Sequence, residues 1–281
     1  MKVLVTGAEG KLGGAAQRAL RAAGHEVAAP PEAELDVTRP AAIRDALSRH
    51  AAGAVWNCAA FTDVDGAEKR AEEAFRVNRD GAANVARACS GKGVWLVHLS
   101  TDFVFRGDGR RPCREEDPTG PESVYGRSKR AGEEAVLREH PAALVLRTAW
   151  LYGGRGTDFV RKVLERARRG GDLVVVEDQV GSPTWVEDLA GAMVALLGPR
   201  PRGILHFANA GECSRFAFAA AVLEEAGVPA RIRPCRSSEL RGGAPRPAYA
   251  PLDTSRYEAL LGAAPRGWRE ALRLAMAAEG G

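Results

Sequence analysis

The fold of this chain is decided by the stretch Val3-Leu4-Val5-Thr6-Gly7-Ala8-Glu9-Gly10-Lys11-Leu12-Gly13. Its apolar run predicts a strand, and the residues that follow, up to Ala23, have the pattern of a helix. Glycines three apart between them allow a tight turn, in which the amides of the helix N-terminus can approach a pyrophosphate. This order of elements predicts dinucleotide binding, with a glycine-rich surface turn as the alternative.

The rest of the first half repeats the alternation of short apolar runs and amphipathic segments. Further strands are predicted at residues 25–29, 54–58, 94–99 and 143–147. Helices are predicted at residues 41–50 and around Tyr125, and residues 67–89 are predicted to be largely helical with polar interruptions. Strands and helices that alternate in this way form parallel sheets with right-handed crossovers. The predicted fold class is therefore α/β, with a Rossmann-type doubly wound parallel sheet.

The second half is less regular and indicates a smaller C-terminal substrate-binding subdomain. Its predicted helices are at residues 159–169, 186–197, 216–226 and 268–278, and its strands at residues 173–176 and 204–207. We expect residues 1–149 to form an NAD(P)-binding Rossmann domain, which part of about 174–206 joins. Residues 150–281 then form mainly the substrate-binding subdomain.

Composition excludes several classes of protein. The net charge of +4 over 281 residues leaves no footprint of nucleic-acid or membrane binding. The five cysteines are widely spaced and include no C-x-x-C, which argues against a metal cluster or a disulfide framework. The first apolar run is too short for a signal peptide. We therefore expect a cytoplasmic protein with no nucleic-acid or membrane partner.

Tyr125 and Lys129 stand four residues apart in a segment with a helical pattern. Residues with this spacing share one face of a helix, so the phenol and the ammonium can meet. A lysine charge about 4 Å away favours the phenolate by roughly 4 kcal/mol, which would bring the tyrosine pKa from about 10 toward neutrality. Such a phenol can exchange a proton with a carbonyl or an alcohol. Alone the spacing is common in helices, so the other motifs must decide its meaning.

Ser100-Thr101-Asp102 ends the fourth predicted strand. Ligands of open parallel sheets bind at the carboxyl ends of strands. A hydroxyl at this place can hydrogen-bond a substrate oxygen beside Tyr125. The alternative is that serine and threonine simply end the strand.

The cofactor preference is left open by the residues after the second predicted strand. Ala29-Pro30-Pro31 offers no carboxylate for an adenosine ribose and no arginine for a 2′-phosphate. Asp36 and Val37 follow shortly afterwards. They lie near the adenine, or Asp36 caps the helix that begins near Pro40.

These motifs together resemble the extended short-chain dehydrogenase/reductase family and, within it, the dTDP-4-dehydrorhamnose reductases. The resemblance runs from about Met1 to about Gly262. It is carried by six blocks: residues 57–68 (NCAAFTDVDGAE), 100–105 (STDFVF), 125–133 (YGRSKRAGE), 147–153 (RTAWLYG), 178–184 (DQVGSPT) and the pair 246–247 (RP) with 252–254 (LDT).

The resemblance implies an enzyme that reduces the C4 carbonyl of dTDP-4-dehydro-L-rhamnose to dTDP-L-rhamnose with NADPH or NADH. It implies catalytic roles for Thr101, Tyr125 and Lys129. It implies substrate contacts from Thr101, Asp102 and Trp150. The implied cofactor residues are Gly7, Gly10, Lys11, Leu12, Gly13, Asp36, Val37, Ala60, Phe61, Thr62, Tyr125 and Lys129.

The chain differs from some family members at the residues that bind magnesium. Members that dimerise around magnesium have a glutamate just after the glycine loop, where this chain has Gly14. Glu187 alone is a poor magnesium site, so we expect no metal and either a monomer or a homodimer. Asn78 stands where related enzymes have a helix-distorting asparagine behind the lysine, or it is an ordinary polar helix residue.

The residues of the sequence are also compatible with two other functions. One is another nucleotide-sugar enzyme of the same fold, a reductase, an epimerase or a 4,6-dehydratase. A dehydratase needs Asp-Glu directly after the strand-end threonine, and here Phe103 follows Asp102. The other is a non-catalytic regulatory subunit that resembles the beta subunit of methionine adenosyltransferase.

Overall fold

The first half of the chain alternates strands with helices. The computed structural model describes residues 1–170, 172–240 and 242–280. In chain order its first elements are β1 (Lys2–Thr6), α1 (Lys11–Ala22), β2 (Glu26–Ala28), α2 (Pro40–His50), β3 (Ala54–Asn57), α3 (Val64–Ala67), α4 (Ala71–Phe75), a π-helical segment (Arg76–Gly81), α5 (Ala82–Ser90), β4 (Trp95–Thr101), a 3₁₀ turn (Asp102–Val104) and α6 (Val124–Glu139).

The second half contains shorter strands between its helices. These elements are β5 (Leu144–Thr148), β6 (Leu151–Tyr152), α7 (Phe159–Arg168), β7 (Leu173–Val176), β8 (Val180–Gly181), β9 (Thr184–Trp185), α8 (Val186–Ala195), β10 (Gly203–His206), β11 (Cys213–Ser214), α9 (Arg215–Glu225), β12 (Ile232–Cys235), a 3₁₀ turn (Ser237–Glu239), α10 (Ser255–Leu261) and α11 (Trp268–Gly280).

A six-stranded sheet in the order β10-β5-β4-β3-β1-β2 forms the centre of the protein, and every neighbouring pair in it is parallel. Helices α1 and α8 pack on one face and bury residues such as Leu20 and Leu189. Helices α2 and α5 pack on the other and bury Ile43 and Val85. The predicted Rossmann-type doubly wound sheet is confirmed. Because the strands are parallel, the glycine turn after β1 and the hydroxyls at the end of β4 lie at the same edge.

The second half both completes this sheet and builds a separate core. Strand β10 pairs with β5 and is one edge of the sheet. Helices α7, α9 and α11 instead pack together around Phe218 and Leu272. Strands β7 and β12 pair beside them. Among the helices that the structure describes, none has the length and apolar content that a membrane span requires.

The structure confirms that residues 67–89 are largely helical and shows where the helix is interrupted. The chain there forms α3, α4, the π-helical segment and α5, with Arg70 in an irregular conformation between the first two helices. The short strands β6, β8, β9, β11 and β12 and the helix α10 were not predicted. Strands of two residues carry too little alternation for a sequence pattern to reveal them.

Candidate active site

The glycine turn between β1 and α1 has the shape that a pyrophosphate requires. Gly7 has φ +61°, and a Cβ there would lie 2.7 Å from the backbone nitrogen of Ala59. A Cβ on Gly13 would collide with the carbonyl oxygen of Gly7. Gly10 is the N-cap of α1 and brings no side chain to its first amides, which leaves them to an anion. The residues fit a dinucleotide because the glycines allow this tight turn against the backbone of Ala59 and Gly7 and leave the first amides of α1 without a side-chain cap.

Lys11 is placed differently from a simple phosphate ligand. Its Nζ donates to the carbonyl oxygen of Arg155 at 2.9 Å and lies 3.7 Å from the carboxylate of Asp158. Asp158 also accepts from the amide of Gly153 at 2.9 Å. The side chain of Lys11 therefore ties the glycine turn to the loop between β6 and α7, and its backbone remains part of the turn.

Asp36 does not cap α2. Its Oδ1 accepts from both the amide and the hydroxyl of Thr38 at 2.8 Å. The N-cap of α2 is Arg39, which makes no side-chain cap. Val37 is buried in the core, and its carbonyl oxygen accepts from Asn84 at 3.2 Å. The capping interpretation is wrong, and both residues lie in the connection between β2 and α2.

Thr101 and Tyr125 meet at the carboxyl end of β4. Thr101 is the last residue of that strand, and Tyr125 lies in the first turn of α6. The two hydroxyl groups are close enough to interact, and Thr101 acts to lower the pKa of the phenol. Phe103 contacts the Tyr125 ring edge-on at 5.4 Å, and a Cβ on Gly126 would collide with the Phe103 carbonyl oxygen. Gly126 therefore lets α6 come close enough for the phenol to reach the strand end.

Lys129 lies on the same helix but does not act on Tyr125 as the sequence predicted. Its Nζ donates to the carbonyl oxygen of Leu99 at 2.6 Å, and burial lowers the pKa of this lysine to about 8. Burial raises the pKa of Tyr125 to about 12, and the nearby Thr101 hydroxyl only partly opposes the rise. The predicted fall of the tyrosine pKa is wrong for this structure, because the ammonium is directed at the strand backbone.

Asp102 is a buried carboxyl group next to the two hydroxyls. Its Oδ1 accepts from the hydroxyl of Thr101 at 2.9 Å, and the residue is 3% exposed. Burial raises the pKa of Asp102 to about 6, against the opposing effects of this hydrogen bond and of the positive charge on Arg215. Asp102 therefore controls the direction in which the Thr101 hydroxyl points.

Replacing Asp102 with asparagine is expected to stabilise the protein at neutral and alkaline pH. The pKa of this carboxyl is about 6 in the fold and 3.8 for a free side chain, so its contribution to stability is lost as the pH rises through 6. The Asp102→Asn variant should gain about 3 kcal/mol in free energy of unfolding at pH 8 and about half of that at pH 5. Urea titrations at the two pH values measure both.

Asp108→Asn is the matched control, because the Asp108 side chain is 75% exposed. It should leave the stability close to that of wild type at both pH values. If the free energy of unfolding of Asp102→Asn does not exceed that of wild type at pH 8, or exceeds it equally at pH 5 and pH 8, the raised pKa of the buried Asp102 carboxyl is contradicted.

Trp150 has an unusual backbone conformation. Its φ is +45°, which non-glycine residues adopt only where the surroundings hold them. The Arg215 guanidinium lies 3.4 Å from the centre of its ring. A Cβ on Gly181 would collide with the same ring. The indole is therefore held between α9 and β8.

The whole chain matches a known protein family. The pattern described as the RmlD substrate binding domain matches residues 1–279. The chain belongs to this family. It is 47% identical over 277 residues to a probable dTDP-4,6-dihydroxy-2-methyloxan-3-one 4-ketoreductase of Streptomyces antibioticus, covering 97% of this chain and 94% of that protein. It is 46% identical over 285 residues to the dTDP-4-dehydrorhamnose reductase of Mycobacterium tuberculosis, covering 99% and 93%.

Solved structures agree with this membership in the RmlD family. The dTDP-4-dehydrorhamnose reductase of Bacillus anthracis, solved in complex with NADP, superposes with a TM-score of 0.95 at 33% identity. The match covers 99% of each chain. The resemblance that the motifs indicated is confirmed.

Asn78 lies in a distorted helical segment that packs against α6, as its place in the family motif suggested. It lies in the π-helical segment Arg76–Gly81. Its Oδ1 accepts from the amide of Phe61 at 2.9 Å, and its Nδ2 donates to the Phe61 carbonyl and to the hydroxyl of Ser128. A Cβ on Gly132 would collide with the Asn78 carbonyl oxygen. Asn78 thus fixes the segment 60–62 after β3 and seats α6 against it.

Two further acidic residues of the RmlD family motif hold the surroundings of Tyr125. Glu68 accepts from the amide of Val124 at 2.8 Å at the start of α6. Asp65 accepts from Arg246 at 2.8 Å and from the amide of Ala244 at 2.8 Å. Both residues belong to the block 57–68, but only the fold shows that they hydrogen-bond residues far along the chain.

Glu187 has a partner other than a metal. Its carboxylate accepts from the guanidinium of Arg18 at 2.5 Å. Over residues 1–170, 172–240 and 242–280, no group of His, Cys, Asp and Glu side chains could hold a metal ion. In this chain of the RmlD family, Glu187 joins α8 to α1.

Proposed function

We propose that this protein reduces the C4 carbonyl of dTDP-4-dehydro-L-rhamnose to dTDP-L-rhamnose, the last step of dTDP-rhamnose synthesis, with NADPH or NADH. The observation that carries the proposal is the juxtaposition of the Thr101 and Tyr125 hydroxyls at the carboxyl end of β4, where they are close enough to interact. The glycine turn after β1 lies at the same edge of the sheet. The names of the two relatives, both reductases of dTDP-linked keto sugars, support it.

The glycine turn and the segment 60–62 are the proposed cofactor site. The tight turn at Gly7 and Gly13 and the uncapped amides of α1 suit a pyrophosphate. A reduced nicotinamide dinucleotide bound there supplies the hydride. The Bacillus anthracis relative that contains NADP supports this use of the fold.

Tyr125 is the proposed proton donor to the oxygen at C4. With a pKa raised to about 12 the phenol is protonated at neutral pH, as a donor must be. The Thr101 hydroxyl, which donates to Asp102 in this structure, is proposed to orient the oxygen beside Tyr125, so that charge develops next to fixed dipoles. Lys129, buried next to the end of β4, is the proposed cation for the nicotinamide ribose.

Asp102 and Trp150 are proposed to line the sugar side of the site, and residues 150–281 to form mainly the substrate-binding subdomain. The core around Phe218 gives that part its own support, although β10 belongs to the main sheet. A cytoplasmic monomer or homodimer remains our prediction.

The assay that tests the function follows NADPH oxidation with a panel of nucleotide sugars. We expect turnover with dTDP-4-dehydro-L-rhamnose that exceeds turnover with dTDP-4-dehydro-6-deoxy-D-glucose. Because the relative named as a 4-ketoreductase is as similar as the rhamnose enzyme, its dTDP-linked ketone belongs to the panel. A preference for that ketone would contradict the proposed substrate. If no sugar supports NADPH oxidation and the protein binds tightly to another enzyme, the alternative of a non-catalytic regulatory subunit is favoured.

A further inference from the structure

Arg215 is a cationic residue that the sequence motifs did not single out. It is the first residue of α9, and its guanidinium carbon lies 3.4 Å from the centre of the Trp150 ring and 5.1 Å from that of Phe159. Stacking of this kind uses the face of the guanidinium. The five N–H donors lie in its plane, so these contacts leave them available.

The donors of Arg215 have no acceptor within the part of the chain that the structure describes. Its side chain makes no hydrogen bond and no ion pair there, and its contacts are the two aromatic rings. Burial lowers the pKa of Arg215 to about 10, so the group keeps its charge at neutral pH. A half-buried charge with unsatisfied donors is costly unless something else satisfies them.

The charges around Arg215 indicate the kind of group that would do so. Asp102 is close enough to stabilise the cation, and Arg246 is close enough to oppose it. Arg246 is itself held by a bidentate pair with Asp65, at 3.0 and 2.8 Å. Two guanidinium groups that repel each other favour an anion between or beside them. A planar guanidinium binds phosphate oxygens with two parallel hydrogen bonds.

We propose that Arg215 binds the diphosphate of the nucleotide-sugar substrate, an inference that rests on the proposed function. Trp150 then serves as the platform that orients the guanidinium, and its ring face is occupied by Arg215. The arginines of α7 are less suitable, because Arg161 donates to the carbonyl oxygens of Gly154 and Gly156. Arg215 thus sets the distance between the anionic carrier and the carbonyl at Thr101 and Tyr125.

The test measures binding of dTDP, thymidine and NADPH by titration calorimetry, without any requirement for turnover. Arg215→Gln should weaken dTDP binding about 10- to 100-fold, because charge-assisted hydrogen bonds to phosphate are lost. Thymidine and NADPH affinities should stay close to those of wild type. Arg215→Lys keeps the charge but loses the planar guanidinium, so its affinity for dTDP should lie between those of wild type and Arg215→Gln. In steady state, KM for the nucleotide sugar should rise far more than kcat falls.

Arg269→Gln is the matched control. Arg269 also lies over a tryptophan, 5.0 Å from the Trp268 ring, but it is 61% exposed and paired with Glu224. This variant should bind dTDP as wild type does. NADPH binding by each variant reports whether its fold is intact.

Unchanged dTDP affinity in Arg215→Gln would overturn the inference, as would an equal loss for thymidine and dTDP. Failure of the wild type to bind either dTDP or UDP would overturn it as well. Arg215-dependent binding of dTDP by a protein that reduces none of the keto sugars would uphold the inference and remove the proposed function. Turnover of dTDP-4-dehydro-L-rhamnose that is the same in Arg215→Gln as in wild type would uphold the proposed function and overturn the inference.

Discussion

Replacing Tyr125 with phenylalanine is expected to lower kcat for reduction about 10²–10⁴-fold, because the substitution removes the proton donor. The affinity for NADPH should stay close to that of wild type, since the phenol contributes its hydroxyl to the reacting oxygen. Steady-state NADPH oxidation and fluorescence titration with NADPH measure the two quantities separately.

Tyr257→Phe is the control for the loss of a phenolic hydroxyl. Tyr257 is a buried tyrosine of α10 that packs edge-on against Phe207 at 4.8 Å, in the core that α8 covers. Its kcat should equal that of wild type. A Tyr125→Phe enzyme that turns over at more than about a tenth of the wild-type rate would remove Tyr125 from the mechanism.

Replacing Glu133 with alanine is expected to destabilise the protein by about 3–5 kcal/mol. The Glu133 carboxylate accepts twice from the Arg147 guanidinium, both at 2.8 Å, and the two side chains are 0% and 1% exposed. Without Glu133 the charge of Arg147 is left buried and uncompensated. This pair joins α6, which carries Tyr125, to β5. The free energy of unfolding in urea measures the effect.

Glu134→Ala is the neighbouring control. Its carboxylate is 57% exposed and pairs with Arg130 at 3.1 Å on the surface of α6. An exposed pair of this kind contributes less than about 1 kcal/mol. The double substitution Glu133→Leu with Arg147→Met should recover much of the loss, because it removes both buried charges. Equal effects of Glu133→Ala and Glu134→Ala would contradict the buried pair.

The fold and the cofactor turn could be predicted because each depends on a local pattern. Buried parallel strands give short apolar runs, and a close backbone approach leaves glycine as the residue that fits at Gly7 and Gly13. The hydroxyls at the end of β4 followed from the rule that strand ends share one edge. The unusual helix at Asn78 followed from the family motif and not from the pattern of the segment itself.

The electrostatics of the site could not be predicted from spacing. Tyr125 and Lys129 share a helical face, yet the lysine hydrogen-bonds the backbone of β4 and the pKa of Tyr125 rises instead of falling. That outcome depends on burial, which is a property of the whole fold. Arg215 was missed for the same reason, because its stacking on Trp150 joins residues far apart in the chain.

The most direct test of the account follows the hydrogen that is transferred. The protein is supplied with NADPH deuterated at its transferable position and with dTDP-4-dehydro-L-rhamnose, and the product is examined by NMR. We expect dTDP-L-rhamnose with deuterium at C4 of the sugar, formed by wild type and almost absent with Tyr125→Phe. Deuterium at another carbon, or a product without deuterium, would contradict the proposed reduction at C4.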